Sequence, residues 1–146
     1  MTPGQVPAGP LVVDTDIFSY LRTRRGRYAE FAQLLTGHVL TVSFATYGEV
    51  LAGGYRAGLG PRRMEDLRAV LGGFVVLPYT SAVVEAWAPL HAKLFGQLHR
   101  GGANDLWTAA CALAQSPPLP VVTNNLTDFR AVAAAQPDLH LVHPDL

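Results

Sequence analysis

The chain is short of several things, and each shortage closes a class of function. It has one cysteine, Cys111, so no internal disulfide can form and a cysteine-based zinc site is excluded. Set in an alanine-rich stretch, Cys111 is expected to be a small core residue. No apolar run approaches the roughly 18 residues of a membrane span. Met1 to Pro10 carries neither the basic flank nor the apolar stretch of a signal peptide, which predicts a cytoplasmic protein with no membrane partner. No P-loop or nucleophile elbow is present, and Gly58-Leu59-Gly60 lacks both the third glycine and the preceding strand of a dinucleotide fingerprint. Charge is sparse at 15%, and lysine is confined to Lys93.

What is present fits one domain with a real core: 146 residues, 49% of them hydrophobic. Met1 to Pro10, with three prolines and no apolar period, reads as a flexible tail, leaving 11–146 as the domain. Short apolar runs at Leu11 to Val13, Val39 to Val42, Phe74 to Leu77, Leu119 to Thr123 and Leu139 to Val142 read as five strands. Between them lie helical patterns. Ser43 caps one that should stop at Gly53-Gly54. Pro61 opens another, and a long one from Ser81 to Gly101-Gly102 should be kinked or divided by Pro89. Such alternation predicts an α/β fold, a mostly parallel five-stranded sheet with helices on both faces.

The acids are the informative part. Asp14 and Asp16 follow the first strand, Glu49 lies on the helix after the second, Asp105 heads the buried helix before the fourth, and Asp128 follows the fourth. Each has an ordinary explanation: Asp14 or Asp16 as a helix cap, Glu49 as a wet-face glutamate, Asp105 as a cap. A parallel sheet would bring them toward one edge, where two carboxylates about 4 Å apart repel by roughly 1 kcal/mol in water and about 4 at an effective dielectric of 20. They would need protons or a cation, and an all-oxygen site suits Mg²⁺ or Mn²⁺. The net charge is zero. Setting five of the eleven acids aside for one site leaves six against eleven basic side chains, a basic remainder. Arg22, Arg24, Arg25 and Arg27 at a helix exit fit either a solvated turn or the steering of a polyanion such as RNA. Of the five histidines, His91 and His99 could share a helix face, with no partner set that suggests a metal.

Leu11 to Leu21 (LVVDTDIFSYL), Ser43 to Leu51 (SFATYGEVL), Asn104 to Ala110 (NDLWTAA) and Val121 to Phe129 (VVTNNLTDF) together resemble the four signature blocks of PIN-domain nucleases. The short single-domain form is most similar to the VapC toxins of toxin-antitoxin pairs. That resemblance implies Mg²⁺-dependent hydrolysis of RNA, with Asp14, Asp105 and Glu49 as metal ligands and Asp128 as a further catalytic acid. Asp16, Ser43, Thr123 and Asn125 would orient them, and many relatives carry an aspartate where this chain has Asn125. It also implies a homodimer and a small antitoxin protein. Two rivals stay open. Asp14-Thr15-Asp16 and Val121 to Asn124 also resemble blocks of HAD-type phosphatases, with Asp14 as covalent nucleophile, although the lysine that family needs after the threonine block is missing. The other rival is a non-catalytic binding domain whose acids are caps.

Overall fold

The structure, a computed structural model, describes residues 3–98 and 102–146. Five short strands form one sheet: β1 (Leu11–Val13), β2 (Leu40–Ser43), β3 (Val75–Leu77), β4 (Val121–Val122) and β5 (Leu141–Val142). Their order is β3-β2-β1-β4-β5, and every pairing is parallel. Strands this brief suffice because the central ones are apolar and buried on both faces. Alternation along β1 and β4 shares them between two cores. Val12 and Val121 face one side with α5 (Ser81–Leu94), α6 (Gly102–Leu113) and α7 (Leu126–Ala135). Leu11, Val13 and Val122 face the other with α1 (Thr15–Thr23) and α2 (Tyr28–Leu35). A third cluster joins Phe18 to α4 (Pro61–Leu71) and the apolar side of α3 (Phe44–Arg56). The expected α/β architecture is therefore the observed one.

Several local expectations fail for identifiable reasons. α3 does not stop at Gly53-Gly54 but runs through both to Arg56. At Gly54 a Cβ would stand 2.8 Å from Met64 Sδ and 2.9 Å from Leu67 Cδ2, so that glycine lets α4 approach instead of ending a helix. Pro89 does not divide α5. It and Glu85, one turn earlier, are both exposed, so the carbonyl left without a donor meets water. The helix ends at Leu94, short of Gly101-Gly102, and Gly102 opens α6 instead of closing α5. His99 lies outside the described residues. Within the segment expected to be a tail, Pro3–Gln5 forms a 3-10 turn and Val6 is buried in the cluster that contains Phe31. Cys111 is fully buried, and no helix of the described residues is long and apolar enough to cross a membrane.

Candidate active site

In this strand order the chain reverses direction across the sheet between β1 and β4, and the crevice outside the carboxyl ends of those strands is where such sheets bind ligands. Asp14 follows β1 directly and is only 4% exposed. Its Oδ1 accepts the Thr15 backbone N–H at 2.8 Å, and its Oδ2 accepts from Thr123 Oγ1, just past β4, at 2.9 Å. Asp14 is thus both the N-cap of α1 and a link between the two central strands. Capping alone does not account for it.

Asp105 has no such double reading. α6 begins at Gly102, so Asp105 lies inside the helix and not at its cap. Its carboxylate is 8% exposed, and Oδ2 accepts from the Asn125 amide at 3.0 Å. The same Nδ2 donates to Asp128 Oδ2 at 3.2 Å, and Asp128 is 3% exposed. Asn125 is the N-cap of α7, and its N–H donates to Thr123 Oγ1 at 2.9 Å. One short segment after β4 therefore grips acids from three other places. Glu49, in the middle of α3, is held by the side-chain amide of Asn104. Ser43 caps α3, accepting the Thr46 N–H at 3.0 Å, and its hydroxyl lies 3.2 Å from that of Thr108 on α6. Asn104, Thr46 and Thr108 fall inside the quoted blocks but receive no role from the sequence, because uncharged hydrogen-bonding residues carry no spacing signal. Asn104 alone had a cue, its position beside Asp105.

The electrostatics show the cost of this arrangement. Burial pushes the Asp14 carboxyl up to about 7, helped by the charges of Asp16 and Glu49, although Thr15 and Thr123 pull the other way. Asp105 is pushed up to about 8, first by burial and then by Asp14, Asp128, Asp16 and Glu49 in that order. Asp16, in the first turn of α1, is raised chiefly by burial. Four acids from three other regions of the chain thus lie within electrostatic reach of Asp105. Among the described residues, no three carboxylate, imidazole or thiol side chains already stand at metal-holding spacing. The donor set is all oxygen, with no histidine or cysteine among these acids, and its members repel one another. That chemistry fits a hard divalent cation in preference to zinc.

The arginine run disperses. Arg27 is committed to Glu30 at 2.7 Å and Asp145 at 3.0 Å. Arg24 caps α1 in a left-handed conformation and lies over the Tyr28 ring, while Arg25 is exposed. Arg22 borders a cavity that also reaches Glu49.

The PIN domain family model matches residues 11–135. No curated protein matches the chain. Among solved structures, it is similar to VapBC2 from Rickettsia felis bound to a DNA fragment from their promoter, at 21% identity and a TM-score of 0.72, covering 91% of this chain and 97% of that one. It is also similar to VapBC-1 from nontypeable Haemophilus influenzae, at 24% identity and a TM-score of 0.71, covering 94% and 99%. VapBC-5 from Mycobacterium tuberculosis, of the VapBC family of toxin-antitoxin systems, matches at 26% identity and a TM-score of 0.65, again covering 94% and 99%. With the match spanning the strands and helices that carry all five acids, the chain belongs to the PIN domain family.

Proposed function

We propose that the protein is a Mg²⁺-dependent endoribonuclease, with Mn²⁺ able to substitute, and the toxin half of a toxin-antitoxin pair. The observation that carries the reading is that one short segment after β4 binds Asp14 through Thr123 and both Asp105 and Asp128 through Asn125, a gathering whose burial and mutual repulsion push the Asp105 carboxyl up to about 8. A group held in that state gains by exchanging its proton for a cation. Asp14, Asp105 and Glu49 would hold the ion, with Asp128 beside them. When bound, Mg²⁺ lowers the pKa of a coordinated water and offsets charge on the phosphodiester and its leaving oxygen.

The chain's own part is orientation. Thr15 and Thr123 fix both oxygens of Asp14, so the carboxylate cannot rotate away. Asn125 joins Asp105 to Asp128 with one amide group, and Asn104 holds Glu49 toward them. The PIN family membership opposes the phosphatase reading, and Lys93 lies in the last turn of α5. The VapBC likenesses support a small protein antitoxin as partner; action on RNA, a homodimer and a cytoplasmic location complete the proposal. The test is cleavage of single-stranded RNA by the purified protein with Mg²⁺ or Mn²⁺. Asp14→Asn and Asp105→Asn should each abolish it, and undiminished cleavage in both would refute the reading. Turnover of a small aryl phosphate in preference to RNA would restore the phosphatase.

A further inference from the structure

Beside the acids, a cavity of about 280 Å³ opens between α1 and α3. Its near end is formed by Thr15 and Glu49, its apolar floor is Val50, Ala57 and Leu59 over the buried Phe18 and Leu67, and Arg22 and Arg56 border it. A second cavity of about 380 Å³ shares Arg22, Leu59 and Leu67 with the first and adds Arg63, with Asp66 on its wall. Sharing three lining residues, the two adjoin as a groove that runs from Glu49 past three guanidinium groups. Among the described residues none of those three is held in an ion pair, whereas Arg27 and Arg68 both are. An apolar floor flanked by uncommitted arginines suits a ligand with flat apolar faces joined by anions. The first cavity lies near the lower bound of the roughly 300–1,000 Å³ that small-molecule sites occupy.

Gly53 supplies an independent sign. Unlike Gly54, it has no packing reason to be glycine: a Cβ there would meet only Arg56 Nη2, at 3.8 Å. Glycine inside a helix is destabilising relative to alanine. At Gly53, which lines the first cavity, the absent side chain leaves the groove open.

We propose that this groove is the track of the substrate strand: a single-stranded polynucleotide leaves the acids over the first cavity, lays one base on Val50 and Leu59 between phosphates held by Arg22 and Arg56, and passes its next phosphate to Arg63. The assignment rests on the nuclease reading and gives it a direction. Its test is binding of a fluorescent single-stranded RNA 12-mer in EDTA across a salt series, together with steady-state cleavage in Mg²⁺. Arg56→Ala and Arg63→Ala should each flatten the slope of log K against log salt by about 0.7 and raise KM with little change in kcat. Arg56→Lys should keep the slope. Gly53→Leu should weaken binding by about tenfold or more with a melting temperature that is unchanged or higher. Slopes and KM unchanged in both alanine variants, or full binding by a folded Gly53→Leu protein, would overturn the proposal and leave the groove to a protein partner. Flattened slopes in a protein that cleaves no RNA would keep the track and discard the nuclease.

Discussion

Two clusters of charge, at opposite sides of the β4 loop, use the same residue types to contrary effect. Near the C-terminus, Arg27 forks onto both oxygens of Glu30 and onto Asp145, and Asp145 in turn gives its N–H to His143 Nδ1 at 3.0 Å. There the Arg27 hydrogen bonds hold the carboxyls of Glu30 and Asp145 below their ordinary values. In the acid crevice no cation among the described residues answers Asp14 and Asp105, and both are pushed upward. The first cluster is a latch: His143 Nε2 lies 3.3 Å from Asn124 Oδ1, next to the Asn125 segment, and so ties the chain's end to the site. The second is stable only with protons or a metal. Carboxylates paired with a guanidinium give up their protons readily, and buried ones set among other acids hold theirs.

Breaking the crevice should give the largest effect. Asp105→Asn should lower RNA cleavage by more than about 100-fold, since partners of metal ligands alone cost 10- to 100-fold. In the metal-free protein at pH 8 the same change should raise the melting temperature by about 3 °C or more, because it removes a charge that burial and four acids oppose. A gain of stability with loss of activity would distinguish a functional carboxylate from a structural one.

The pH dependence sharpens the contrast. Asp14 and Asp105 keep their protons to about 7 and about 8 when folded, but release them near the ordinary carboxylate value of 3.8 when unfolded. Between those values the unfolded chain binds fewer protons, so metal-free stability should fall as pH rises from about 4 to about 8. Glu30 and Asp145 have the opposite sign: their contribution is present above the usual carboxylate range and is lost as pH falls. Thermal melts from pH 3 to 9 should show Asp105→Asn flattening the decline between about pH 4 and 8, and Arg27→Ala lowering stability slightly above the usual carboxylate range with the difference vanishing in acid. An unaltered decline in Asp105→Asn would contradict the assignment.

Asn125→Asp is a finer probe. It replaces the amide that donates to Asp105 and Asp128 with a further negative charge. Mn²⁺ affinity by calorimetry should tighten, while the metal-free melting temperature falls. The smallest effect is expected from Arg27→Ala at neutral pH, a slight drop in melting temperature, because exposed ion pairs are screened by water.

The alternation of apolar runs with helical patterns made the parallel sheet legible, and Asp14, Glu49, Asp105 and Asp128 stood out because charge within apolar context is rare. Less legible was whatever depends on contact between distant segments. Nothing local distinguishes Gly54, required by Met64, from a helix stop, and the pairing of Asn104 with Glu49 spans 55 positions. The arginine run read as one unit because it is contiguous, yet its members go to an ion pair, a ring face, a cavity and solvent. Arg56 and Arg63, isolated in sequence, join Arg22 only when α3 and α4 pack.

The most direct measurement of the central claim is the melting temperature at pH 8 with and without millimolar Mg²⁺, for the native chain and for Asp105→Asn. A crevice of mutually repelling acids that takes a cation predicts a rise of about 3 °C or more in the native chain and little or none in the variant. An equal response in the two proteins, or none in the native chain, would contradict it.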